Sequence, residues 1–324
     1  MNVQNIFETT GQDWVNRLSH EVSGDGAMCF TLLLSKKPEA TVLRQAASDL
    51  MALEPVLGCR FDDTLDPPVW VPADGDGWFT QAEAESFHQG VVEFLSNPLA
   101  EGRQMEARLI ALPSRAALCL RLDHASIDGG GAKGALELLS RCYNHRFAWG
   151  KPPEHRPTDR SDGRVFTRCG LPDFHLALKR EAPAPAPVAT VPYTGMDGRT
   201  GLHRWISLPL NAVRRAGYTV NDCLIAAFSS VLGAGAGESP VSVHMTVDLR
   251  RYLNENPAPV ACNLSGMEAV NVASPRESFA DLLAEVHRQT AHLKANRPGV
   301  SSAAMMAYLR TMPYAKVREA LITS

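Results

Sequence analysis

The chain has 324 residues, 45% of them apolar and 21% charged, with a net charge of −3. That length can bury the cores of two α/β domains. The charge balance gives no reason to expect nucleic acid or an anionic membrane as a partner. No apolar run is long enough to span a bilayer. The first residues, MNVQNIFETTGQDW, lack the basic and apolar segments of a signal peptide, so a cytoplasmic location is expected. The seven cysteines (29, 59, 119, 142, 169, 223 and 262) are scattered and none forms Cys-x-x-Cys. Buried, reduced thiols are expected rather than a disulfide framework or a zinc site.

In chain order, Met28 to Leu34 reads as a strand. Glu39 to Leu53 reads as an amphipathic helix with Val42, Leu43, Ala46, Leu50 and Leu53 on its apolar face. Pro67 and Pro68 precede Val69-Trp70-Val71, a short strand placed near a sheet edge because proline cannot donate to a ladder. Gln104–Leu112 and Ala116–Leu122 read as a strand pair turning at Pro113-Ser114. The loop His124-Ala-Ser-Ile-Asp128 follows and runs into Gly129, Gly130 and Gly131. Ala132 to Asn144 then has Leu136, Leu139 and Tyr143 at helical spacing. Residues 151–198, with Lys151-Pro152-Pro153 and the Pro/Ala tract at 182–187, read as an extended connection. Beyond it come a strand at His203–Leu208, an apolar helix at Val220–Leu232, a strand at Val241–Val247, a helix at Ser278–Leu293 and helical patterning in Ser301–Ser324. Gly233 to Gly237 reads as a helix C-terminal loop. There is no internal repeat.

The pattern worth most is His124 to Asp128. An imidazole and a carboxylate sit in a short loop held between a strand and a helix, where reactive groups are commonly placed. Histidine can exchange a proton with a hydroxyl, amine or thiol near neutral pH. The glycines allow a sharp turn and a close approach. The plain alternatives are a loop histidine bonded to backbone and an aspartate that caps the next helix. No His/Glu/Cys cluster accompanies His124, so no metal is expected. Ser126 has no Gly-x-Ser-x-Gly elbow, and Cys119 lies inside an apolar strand. The run Gly129 to Gly134 does not meet phosphate-loop spacing.

The loop resembles the His-x-x-x-Asp-Gly signature of the chloramphenicol acetyltransferase-like superfamily, which includes nonribosomal peptide condensation domains and CoA-dependent acyltransferases. It departs from the double-histidine form in having Asp123 before His124. Three further segments resemble family segments: Pro55-x-Leu57-x-x-Arg60-Phe61, Thr219-Val220-Asn221-Asp222, and Asp248-Leu249-Arg250-Arg251 followed by Cys262-Asn263-Leu264-Ser265-Gly266. The resemblance implies an α/β fold of two acyltransferase-like lobes with mixed sheets. The first spans 1–150, the connection 151–198 and the second 199–324. No Ser-Asn-x-Gly or Asp-Phe-Gly-Trp-Gly segment is found before Ser324, so the second lobe is expected to be incomplete, either as a shortened variant or as part of a longer product.

The resemblance further implies acyl transfer at a tunnel between lobes, from a CoA or phosphopantetheine thioester to a hydroxyl or amine. His124 would be the general base, with backbone N–H groups near Gly129 facing the developing oxyanion. Asp128 would pair with Arg250, or else Arg251, to hold the loop. Asn221 and Asp222 would support the site region, besides any capping role. No permanently bound cofactor or metal is implied; an acyl or peptidyl carrier protein is a candidate partner. A place in natural product biosynthesis follows. Two other functions fit the same residues: an amide-forming condensation domain, and a non-catalytic docking module that kept the loop.

Overall fold

The structure is a computed structural model, and it describes residues 6–24, 26–73, 78–171, 209, 217–236, 240–256, 258–273 and 278–323. The strand expected at 203–208 and the Pro/Ala tract lie outside the described residues. The chain divides into two compact units. The first takes residues up to 175, Arg250–Leu264 and the segment from Ala303 onward; the second takes 176–249 and Ser265–Ser302.

The first unit is built on a four-stranded mixed sheet. Its strands are β2 (Ala27–Leu34), β5 (Phe79–Glu83), β6 (Met105–Ala111) and β7 (Ala116–Asp123), in the order β2-β7-β6-β5. β6 and β7 pair antiparallel, β2 pairs antiparallel with β7, and β5 runs parallel to β6. Strand β7 is apolar along nearly its whole length because both of its faces are covered. Its side chains alternate. Leu118, Leu120 and Leu122 face the main core with α2 (Ala40–Leu53) and α4 (Gly129–Trp149), while Ala117 and Cys119 pack under α3 (Phe87–Leu95). Each of those leucines, fully buried, contributes about 1.5–3 kcal/mol. Arg121 shares the α3 face; it is held by Glu106 at 3.2 Å and by the carbonyl of Phe94.

A second, three-stranded sheet has the order β1-β4-β3, with β1 at Phe7–Glu8, β3 at Cys59–Asp62 and β4 at Val69–Pro72. The expectation of an edge position for β4 is therefore corrected. The two prolines precede the paired residues, and Val69 pairs with both Glu8 and Asp62. Trp70 fills the middle of the sheet at 0% exposure.

Helix α1 (Gly11–Ser23) was not read from the sequence. It starts at a capping box, with Thr10 Oγ1 accepting from Asp13 N and Asp13 Oδ2 accepting from Thr10 N. Trp14 and Leu18 bury one face against Tyr314 and Val317. Between α4 and residue 171 the chain has no regular element apart from α5 (Gly163–Arg168).

The second unit contains α6 (Val220–Ala236), β8 (Val241–Asp248), β9 (Ser265–Val272) and α7 (Phe279–Ala295). β8 and β9 pair antiparallel. Cys223, Ile225 and Ala226 of α6 pack with Val270, Val272, Leu282, Leu283 and Val286. Helix α6 runs on to Ala236, so Gly233 and Gly235 belong to its last turn rather than to a loop. Helices α8 (Val300–Leu309) and α9 (Tyr314–Thr323) end the described chain.

Candidate functional site

Strand β7 ends at Asp123 and α4 begins at Gly129, so the His124–Asp128 loop is anchored at both ends. Asp128 is the helix N-cap: its Oδ1 accepts from Gly131 N at 2.8 Å. The expected glycine turn is corrected here. Gly129 to Gly131 are the first residues of the helix, and none of the three has a positive φ. Gly131 is required for another reason. A Cβ there would lie 2.2 Å from the carbonyl oxygen of Val260 and 2.9 Å from Arg250 Nη2, whereas one on Gly129 would meet nothing within 4 Å.

Asp128 is buried, and its second oxygen accepts from Leu264 N at 2.7 Å. Arg250 Nη1 lies 2.8 Å from Oδ1 and 3.0 Å from Oδ2. The rest of the guanidinium is held as well: Nε donates to Pro259 O, and Nη2 to Cys262 O and Sγ. Asp128 N in turn donates to Cys262 O. Loop 124–128 and segment 250–264 are thus one hydrogen-bonded body around a charge-assisted pair. Burial pushes the Cys262 thiol up to about 12 despite Arg250 nearby, so it stays protonated. Arg251, the other candidate partner, is exposed and lies over the ring of Tyr252.

His124 is half-buried. Its Nδ1 lies 3.0 Å from Asn16 Nδ2, which also donates to His124 O at 3.0 Å and to Asn263 Oδ1 at 3.1 Å. Asn263 Nδ2 donates to Ala125 O and to Asp13 Oδ1. Asp13 Oδ2 accepts from Trp70 Nε1, Thr10 N and Arg160 Nη2. Arg160 reaches in from the segment between α4 and α5 and donates to the carbonyls of Ser126 and Ala261. The same segment is pinned upstream, where Glu54 accepts from Thr158 Oγ1 at 2.8 Å and lies 2.6 Å from His155 Nε2. Asp123, at the position before the motif histidine, accepts from Ala125 N, and His20 Nε2 lies 3.7 Å from its carboxylate.

Asn221 and Asp222 belong to the second unit. Asp222 makes a capping box with Thr219 and also accepts from His287 Nδ1 and Thr290 Oγ1, tying α6 to α7. Asn221 is exposed and meets Met245 Sδ at 3.6 Å. The residues missed in the sequence are Asp13, Asn16, Arg160 and the role of Asn263. The Thr10-x-x-Asp13 spacing was the one local signal of the helix that carries the first two.

Among the described residues no group of three or more His, Cys, Asp or Glu is placed to hold a metal, and no helix is long and apolar enough to cross a membrane. No family model matches the sequence, and no curated protein does. Solved structures do match. The first condensation domain of the calcium-dependent antibiotic synthetase, in complex with a substrate analogue, is 18% identical with a TM-score of 0.59, over 90% of this chain and 75% of that one. The starter condensation domain of rhizomide synthetase, in complex with C8-CoA, is 13% identical with a TM-score of 0.63, over 96% and 76%. Polyketide synthase associated protein 5 from Mycobacterium tuberculosis is 18% identical with a TM-score of 0.59, over 91% and 76%. The chain has the fold of these condensation domains.

Proposed function

We propose that the protein transfers an acyl group from a CoA or carrier-protein thioester to a hydroxyl or amine, with the His124 loop as its reacting centre. The observation that carries this reading is the support given to that loop. A buried Asp128–Arg250 pair, Leu264 N and the helix cap fix its C-terminal side, and Asn16 and Asn263 engage its N-terminal side. So much polar machinery around one half-buried imidazole fits a group held for chemistry. In this reading the acceptor attacks the thioester carbonyl beside His124, which serves as general base or orienting group. The first-turn N–H groups of α4, at Gly129 and Gly130, favour the negative charge that develops on the carbonyl oxygen. Asp128 and Arg250 hold the loop and do not meet the substrate. Asn221 and Asp222 brace the second lobe.

The division into lobes at 1–150 and 199–324, joined by 151–198, belongs to this proposal, as does a cytoplasmic setting in natural product assembly. The amide-forming version is favoured where the similar solved structures are condensation domains. The test is release of free thiol from a panel of acyl-CoA and acyl-pantetheine donors, with alcohols and amines as acceptors. His124→Ala is expected to lower the rate about 10²–10⁴-fold with its thermal midpoint unchanged. Full transfer by that variant excludes His124 as the reacting group, and no transfer by the parent chain with any donor leaves the docking-module reading.

A further inference from the structure

Three consecutive carbonyls of the His124 loop are each held by a side chain. His124 O accepts from Asn16 Nδ2, Ala125 O from Asn263 Nδ2 and Ser126 O from Arg160 Nη1. A peptide group is planar, so a held carbonyl fixes the whole plane between two Cα atoms. The plane that Arg160 fixes joins Ser126 to Ile127. It lies midway between His124 and the N–H of Gly129, and so sets the spacing of those two groups.

The three donors differ in origin. Asn16 comes from α1 and Asn263 from segment 250–264, and the two bond to each other. Arg160 comes from the segment between α4 and α5, which Glu54 holds through His155 and Thr158. The guanidinium also donates to Ala261 O, pairs with Asp13 Oδ2 at 2.8 Å and lies over the ring of Trp70. Its Nε is buried with no partner. An unbonded buried donor costs free energy, and here the two Nη groups offset it by engaging two carbonyls and a carboxylate. The side chain is held for the contacts of its fork.

We propose that Arg160 is a positioning residue for the His124 loop, so that His124 and the Gly129 N–H are correctly spaced only while residues 155–160 are seated. The dependence of the loop on Arg160 stands on these contacts alone; the dependence of catalysis on it rests on the acyl-transfer reading. Lysine at this position keeps a charge beside Asp13 but lacks the planar fork that reaches both carbonyls at once. A cleft of about 430 Å³, lined by Thr9, Thr10, Thr158 and Arg160 among others, gives a small guanidinium ion a way in once the side chain is cut back.

The test uses the full chain with Arg160→Ala and Arg160→Lys. The amide resonances of Ala125, Ser126 and Ile127 in ¹⁵N-labelled protein report the loop without any substrate. They are expected to move in folded Arg160→Ala and to return toward the parent positions as methylguanidinium is added at non-denaturing concentration. Unmoved resonances overturn the dependence of the loop on Arg160. In the thiol-release assay, run well below the thermal midpoint, Arg160→Ala is expected to lose about 10–10²-fold in kcat, with KM for donor and acceptor little changed. Methylguanidinium should restore part of that loss. Arg160→Lys is expected to recover the thermal midpoint but not kcat. Lost stability alone leaves the kcat of folded protein unchanged, so parent-like kcat in folded Arg160→Ala overturns the positioning role, as does full recovery of kcat by lysine. If Arg160→Ala does not fold, Arg160→Lys carries both readouts. Failure of every donor with the parent chain counts against acyl transfer, and the resonances still decide whether Arg160 shapes the loop.

Discussion

Losing one member of the Asp128–Arg250 pair strands the other in a buried setting. Either Asp128→Ala or Arg250→Ala is expected to cost about 3–5 kcal/mol of stability. The double variant should cost clearly less than the two single losses added, because no lone charge remains. Urea unfolding of the four proteins measures this, and strict additivity rules the coupling out. Asp222 supplies a second test. Burial works against its charge, but the bonds from His287, Thr290 and Thr219 outweigh burial and hold the carboxyl below the usual carboxylate range. Its folded-state value is thus lower than its unfolded one, so the stability it contributes is present above about pH 4 and is lost as the pH falls below that. Asp222→Asn should lose stability at pH 7 and respond less to acid than the parent. Parallel pH curves for the two proteins exclude the assignment. His124, Asp128 and Arg250 were legible in the sequence because they stand in short recurring patterns. Asn16 and Asn263 were not: each is a single ordinary amide, brought to the loop from 108 residues before His124 and 138 residues after Ala125.

Among the elements, the glycines at the start of α4 separate two kinds of requirement. Gly131→Ala pushes a methyl group into the backbone of Val260 and is expected to destabilise by about 1–3 kcal/mol, as overpacking does. Gly129→Ala enters open space and should stay within about 0.5 kcal/mol of the parent. Thermal midpoints of both variants decide the matter, and equal losses would contradict the close approach at Gly131. Strands β2, β6, β7 and β8 and helices α2, α4, α6 and α7 were legible because periodicity spans enough residues to average out exceptions. β5 and α3 were not, since Phe79–Glu83 and Phe87–Leu95 are short. The place of β4 was misread for a physical reason: proline bars pairing only at its own nitrogen, and here the prolines lie before the ladder begins.

At the scale of the molecule, the described part of the expected connection behaves as a strap. His155, Thr158 and Arg160 fasten it to Glu54, Asp13 and the carbonyls of Ser126 and Ala261. Glu54→Ala leaves His155 and Thr158 without their acceptor at a cost of about 1–3 kcal/mol. Amide exchange over 151–171 should then quicken while exchange in α6 and α7 does not change; unaltered exchange in 151–171 contradicts the strap. Proline content marked this segment as a connection but gave no sign of where it is fastened, because anchors such as Glu54 and Ala261 lie about a hundred residues away in either direction. The return of Arg250–Leu264 to the first unit carries a consequence for how the protein is made. Ribosomes deliver the chain from its N-terminus at about 5–20 residues per second. When His124 and Asp128 emerge, the guanidinium and the amide that complete their surroundings are still more than a hundred residues from being synthesised. For roughly ten seconds the nascent first unit has its sheet but no finished loop. Its centre is therefore assembled late, from both sides of an intervening unit, and a chain released early carries the signature without the architecture that gives it meaning.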